Sequence, residues 1–282
     1  MKEFETVLKP KSKLFDLRIK EVFKYRDLIG LFVRRDFVAK YKQTILGPLW
    51  AIISPLITSG IFTLIFGSLA GLVPNGLSGL NMFLFFFLPT ICWQFFAHAL
   101  QTTSVTFVAN SHILGKVYFP RLVMPISSVL SGLISFAIQF LLFLIVYFIT
   151  YFVVGGVELN VYALILPLAI LQLGLLGLGV GIIISALTTK YRDLALLVNF
   201  GVQVWLYLSP IAYDISIIPK NVLSIYMLNP IAPIVNNLRY GFFGVGSINL
   251  TYTLISVATT IVLLIFGLLI FNKVEKNFAD TI

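Results

Sequence analysis

Charge is what this sequence has least of. Charged residues make up 11% of the 282 positions, where a soluble domain usually carries about 25%. So few charges cannot cover a water-exposed surface, and the mean hydropathy of +1.00 agrees. Lipid must be part of the solvent. Cysteine is nearly absent as well. Cys92 stands alone, which excludes an intrachain disulfide and a cysteine-built metal centre. It lies in an apolar run and reads as a small packing residue.

Acids and catalytic groupings are also missing. None of the eleven Asp and Glu residues falls inside an apolar run; Glu158 and Asp214 sit at outer ends and Asp193 at an inner end. Proton- and sodium-coupled transporters need ionisable or coordinating groups near the membrane midplane, so self-contained ion coupling is disfavoured. The stretch GLGVGIIIS, 177–185, has glycines but no Gly-Lys-Ser/Thr ending, so it is no P-loop. There is no HExxH and no nucleophile elbow. His98 and His112 stand apart; the first reads as a helix contact or a ligand for a transported group, the second as a loop residue.

What is present is long apolar runs. A helix needs roughly 20 apolar residues to cross a bilayer, and helices satisfy their own backbone in hydrocarbon. Hydropathy places six spans, at 47–71, 82–108, 123–153, 161–187, 194–213 and 249–272. The fold class is therefore an all-α polytopic membrane protein. The basic residues set its orientation. With the N-terminus inside, eighteen Lys and Arg lie on the inner side and two, Lys220 and Arg239, on the outer. Both termini are expected in the cytoplasm.

Residues 222–245 are apolar but carry Asn229-Pro230, Pro233, Asn236, Asn237 and Arg239. A seventh span would put Lys273 and Lys276 outside, so a re-entrant helical hairpin at about 214–246 is expected instead. The remaining boundaries are a cytoplasmic N-terminal segment with an amphipathic interface helix, 1–46, a transmembrane domain, 47–272, and a cytoplasmic tail, 273–282. The interface helix follows from residues 24–42. Tyr25, Leu28, Ile29, Phe32 and Val33 share one face while Arg26 and Arg34 fall on another. Gly47-Pro48 then turns the chain into the bilayer.

Polar side chains inside the spans are uncharged. Gln94, His98 and Gln101 share one helical face, as do Asn199, Gln203 and Tyr207. Each face reads as interhelical hydrogen bonding or as the wall of a neutral pathway. Trp50, Thr58 and Tyr213 join Gln94, Asn199, Gln203 and Tyr207 as candidate pathway residues. Aromatic residues, at 15%, suit interface anchoring and also the C–H faces of sugar rings. Gly174, Gly177 and Gly181 allow close helix approach, within the chain or towards a second copy.

Six segments resemble, in order, the permease subunits of ATP-driven polysaccharide exporters, a branch of the type-2 ABC exporters handling O-antigen, capsule or teichoic acid. They are RDFVAKYKQTILGPLWAIISPLI (35–57), ILGKVYFPRLVMPIS (113–127), KYRDLALLV (190–198), LSPIAYDISIIP (208–219), LNPIAPIVNNLRYGFF (228–243) and EKNFADTI (275–282). The resemblance implies six spans, a homodimer, and two copies of a separate cytoplasmic ATPase carrying ATP and magnesium, with no cofactor in this chain and no nucleic acid. It implies a lipid-linked polysaccharide substrate moved across the bacterial cytoplasmic membrane, through a channel between first and fifth spans. A drug or lipid permease of the same type is the alternative.

Arg34, Arg35, Lys40 and Lys42 then read as contacts to lipid headgroups or to the pyrophosphate of a polyprenyl-linked glycan. His112, Lys116, Tyr118, Phe119 and Arg121 read as the ATPase coupling loop, where aromatic and Arg anchors would enter a partner cleft.

Overall fold

The computed structural model describes residues 19–278 save 75, 115–116, 118, 156–158, 189–190 and 192. The N-terminal residues 1–18, Lys116, Tyr118, Glu158, Lys190, Arg192 and the last four residues therefore lie outside the described part. Within it the chain is helical, with no strand.

In chain order the helices are α1 (Ile19–Lys24), α2 (Arg26–Tyr41), α3 (Trp50–Phe62), α4 (Gly79–Ser104), α5 (Thr106–Ala109) and α6 (Ser111–Leu114). Then follow α7 (Val123–Ile149), α8 (Leu166–Thr188), α9 (Leu194–Tyr207), α10 (Lys220–Tyr226), α11 (Ile231–Phe243) and α12 (Leu250–Phe278). Short 3₁₀ or π turns extend three of them, so five continuous segments are long and apolar enough to cross a membrane: Gly47–Leu69, Gly79–Ser104, Val123–Val153, Val161–Thr188 and Leu250–Asn272.

The expected fifth span, 194–213, is shorter than hydropathy suggests. Helix α9 ends at Tyr207 after 14 residues, about 21 Å of rise against roughly 30 Å of hydrocarbon. The reason is local. Pro210 has no N–H to continue the ladder, and Ser209 and Ile211 close into tight turns on Leu206 and Ser209. The second span likewise stops at Ser104, not 108. The hydroxyls of Thr102, Ser104 and Thr106 bond back to the carbonyls of His98, Gln101 and Thr102, a competition that weakens a helix end.

Helix α4 forms the centre. From Leu84 to Phe96 only Gln94 is less than fully buried. Helices α3, α7, α8, α9 and α11 all pack on it. A run of aromatic rings fills the end of the bundle where α4 begins and α7 ends: Phe87, Phe143 and Phe242, with Phe143 and Phe242 centroids 5.3 Å apart. Tyr147 is fully buried among them, its hydroxyl donating to the Phe242 carbonyl at 2.6 Å.

Helix α8 touches its neighbours backbone to backbone. A Cβ on Gly177 would lie 2.7 Å from the Ala99 Cβ and one on Gly181 2.9 Å from the Leu100 carbonyl oxygen, both on α4. On the opposite side, a Cβ on Gly179 would lie 2.9 Å from the Leu264 Cα, and one on Gly267 2.7 Å from the Gly179 carbonyl oxygen. The glycine face thus packs inside the chain.

Replacing Gly179 by Val should destabilise the protein by about 1–3 kcal/mol, because the obstacle is backbone and cannot rotate away. Gly60 has nothing within 4 Å of its would-be Cβ, so Gly60→Ala should gain about 0.5–1 kcal/mol of helix stability. Thermal unfolding of the purified variants in detergent checks both.

Candidate functional site

Helix α2 lays one face on α7. Phe32 is buried, its ring 5.9 Å from that of Phe119, while Tyr25, Leu28, Ile29 and Val33 are half-buried beside it. Arg34, Lys40 and Lys42 are exposed. Arg35 is not part of that exposed set. It pairs with Asp36 at 2.7 Å, reaches Asn110 at 3.4 Å and stacks over Phe32 at 4.7 Å. Of the expected coupling loop, His112 is exposed and Arg121 half-buried. Phe119 is 5% exposed: its ring packs within the chain, beneath α2.

Gln94 faces inward, not onto an open wall. It shares a polar cavity of about 100 Å³ with Lys40, His98, Ser135 and Gln139, between α2, α4 and α7. The His98 ring fits because position 132 is glycine: a Cβ there would lie 2.4 Å from the His98 Cδ2. Tyr41 and Ser135 hydroxyls meet at 3.3 Å. The centre of this group is a repair. Pro55 inside α3 has no N–H for the carbonyl of Ala51, four residues earlier. Gln139 Nε2 donates to that carbonyl at 2.8 Å and to Gln94 Oε1 at 3.3 Å. Sequence reading did not single out Gln139. The signal was there: Ser127, Ser131, Ser135 and Gln139 recur every four residues on α7 and all are buried.

The other candidate pathway residues, save Tyr213 in the turns beyond α9, lie on α3 and α9, which both pack on α4. Trp50, Asn199, Gln203 and Tyr207 are exposed; Thr58 is half-buried and bonds back to the Ser54 carbonyl at 3.0 Å. Helix α9 buries only Val202. An apolar groove of about 320 Å³ separates it from α8, lined by Val180, Ile184, Leu197 and Val198 among others.

At the far end of α9 the chain is sewn to α10 and α11. Asn229 Nδ2 donates to the Leu208 carbonyl at 3.0 Å and the Ser209 hydroxyl at 2.9 Å, while its Oδ1 accepts from Trp205 Nε1 at 3.1 Å. The Tyr213 hydroxyl reaches the Tyr207 carbonyl at 2.9 Å and the Tyr226 hydroxyl at 3.0 Å. Asn236 and Asn237 donate to the Ser247 carbonyl and the Thr253 hydroxyl. Arg239, expected as an outer-loop cation, is 1% exposed; a charge count carries no information about burial. No cluster of potential metal ligands occurs among the described residues.

Five long apolar helices and an exposed helix face carrying neutral polar residues define a multi-pass membrane protein. Residues 27–243 match the ABC-2 type transporter family, and the chain belongs to it. Among its relatives is a protein of Klebsiella pneumoniae named O-antigen export system permease protein RfbA. It is 31% identical over 256 residues, covering 90% of this chain and 94% of the relative. A Myxococcus xanthus protein of the same name is 24% identical over 268 residues, 94% of this chain and 98% of its own length. The capsule polysaccharide export inner-membrane protein CtrC of Neisseria meningitidis serogroup B is 21% identical over 252 residues, 89% of this chain and 92% of its own.

Gln139→Leu should cost about 1–3 kcal/mol, the usual penalty for an orphaned buried carbonyl. Pro55→Ala returns an N–H to α3, so the double variant should lose less than Gln139→Leu alone. Equal losses in thermal unfolding would show that Gln139 does not serve the Ala51 carbonyl.

Proposed function

We propose that this chain is the permease subunit of an ATP-driven exporter of polysaccharide. The observation that carries the reading is a 31% identity running over 90% of the chain to a protein named for O-antigen export. The capsule-export relative extends the substrate class to bacterial surface glycans in general. The polymer arrives linked to a polyprenyl pyrophosphate, at the inner leaflet of the bacterial cytoplasmic membrane, with both termini of the chain in the cytoplasm.

In this reading the protein has six spans, α9 and its following turns completing the fifth, and α10–α11 forms the re-entrant outer hairpin. Its backbone breaks are tolerable at that depth because Asn229, Asn236 and Asn237 meet partners inside the protein. Residues 1–46 and 273–282 are the cytoplasmic segment and tail around the 47–272 domain. Two copies pair through α3 and α9, whose faces a single chain leaves uncovered, and each copy binds one ATPase subunit.

The exposed Trp50, Asn199, Gln203 and Tyr207, with Thr58 and Tyr213, line the pathway between the copies, while Gln94 supports it from behind. A neutral aromatic and amide wall suits a repeating polymer, since tight charge pairing would stall it. Arg34, Lys40 and Lys42 receive headgroups or the pyrophosphate at the inner mouth; Arg35, already held by Asp36, steadies α2. His112, Lys116, Tyr118 and Arg121 meet the ATPase, with Phe119 as the packed base beneath them. ATP-driven closure of the partner subunits tilts α2 and the inner loops, and the spans follow.

Inactivating the chain in its host should abolish surface glycan and accumulate lipid-linked polymer inside the cell. ATP hydrolysis by the purified complex should rise with glycolipid and not with simple amphiphiles; the reverse response would indicate a drug or lipid permease. Replacing Gln203 and Tyr207 together by Trp should slow export at least several-fold with assembly intact. Normal surface glycan in that variant would remove both from the pathway.

A further inference from the structure

Among the described residues Arg239 on α11 is the largest fully buried side chain, and none of their carboxylates lies within 4 Å of it. A buried cation without a paired anion is costly, so its surroundings show what retains it. The guanidinium lies over the Phe85 ring of α4 at 3.9 Å. One arm, Nη1, donates to the Tyr213 carbonyl at 2.7 Å and the other, Nη2, to the Ile211 carbonyl at 3.1 Å. Its Nε has no partner. Asp214, the adjacent buried acid, accepts through Oδ2 from the Ser216 backbone N–H at 3.1 Å and from the Ser216 hydroxyl.

The gripped segment, 211–214, has no helix or strand of its own, so much of its course is set by contacts with other elements. It also joins three other parts of the outer end. The Asp214 N–H reaches the Leu72 carbonyl beyond the first span at 3.4 Å. The Tyr213 hydroxyl ties the end of α9, through Tyr207, to α10, through Tyr226. A planar fork reaches two carbonyls two residues apart while stacking on a ring; an ammonium presents no such plane.

We propose that Arg239 is a positioning residue that holds segment 211–214, and with it Tyr213, in a fixed course across the outer end of the pathway. The grip is two bonds to carbonyls and a ring contact, with the charge of the buried Asp214 acting on the guanidinium from beyond ion-pair distance. This rests on the reading of Tyr207 and Tyr213 as pathway residues. It adds a residue that never faces the substrate yet sets the shape of the exit.

The test uses the intact permease–ATPase complex in lipid nanodiscs, with amide hydrogen exchange resolved to peptides, beside surface glycan in cells carrying the same variants. Arg239→Gln should speed exchange of 209–217 at least tenfold while peptides from α8 and α12 stay unchanged, and should cut export several-fold. Arg239→Lys should stay close to Arg239→Gln, because the fork and not the charge makes the grip. Phe85→Leu, which keeps the arginine and removes its platform, should shift the same peptides in the same direction. Unchanged exchange at 209–217, a rise spread evenly over the protein, or full rescue by Lys would overturn the proposal. Faster exchange with wild-type export would overturn the placement of the segment on the pathway. Absence of any glycan phenotype when the whole chain is removed would instead sink the transport reading, and the exchange data would still report on the grip.

Discussion

In hydrocarbon a backbone carbonyl has no water to turn to, and this single constraint organises the protein. At several places where the ladder of a helix is interrupted or ends, a side chain from another element takes the carbonyl. Gln139 takes Ala51, whose helical partner is a proline. Asn229 takes Leu208 at the end of α9, and Arg239 takes Ile211 and Tyr213 just beyond. Thr188 takes Ser104 at the end of α4, Tyr147 takes Phe242 at the end of α11, and Asn81 takes Gly155 beyond the third span. Each bond joins elements far apart in sequence. The polar residues of the spans are therefore mostly the structure's own fastenings, and that leaves few for a substrate.

The division of labour among helices follows. Polar groups on α4 and α7 face each other and are consumed there, as Gln94 and Gln139 illustrate. Those on α9 face outward and are unconsumed: Asn199 and Gln203 are exposed on a helix that buries a single residue. Two polar faces that look alike in composition thus have opposite roles, one holding the bundle and the other available to something outside it. The groove beside α9 sharpens the contrast with the tight contact of α8 on α4.

Five of the six expected spans are recognisable from hydropathy alone, because a run of some 20 apolar residues has few other uses. The limits of that signal are equally physical. It runs past Ser209-Pro210, since Ile211, Ala212 and Tyr213 remain apolar after the helix has stopped. Helical periodicity identifies that Gln94 and His98 share a face, but not which neighbour the face meets. Glycine spacing on α8 was legible; that Gly179 presses on Leu264 depends on α12, over eighty residues later. Arg239 was visible as a charge, and its burial under Phe85 was not, because no local pattern marks a cation whose acceptors are carbonyls.

The glycine contacts on both sides of α8 have a mechanical meaning. Where side chains interlock, a rotamer change lets one helix slip past another. Where main chain rests on main chain, as Gly179 and Gly267 do, no rotamer exists to yield, and an axial slip would drive a Cα into a carbonyl oxygen. Helices α4, α8 and α12 therefore form a stiff slab, held main chain against main chain, that resists slippage of any one of them along its axis.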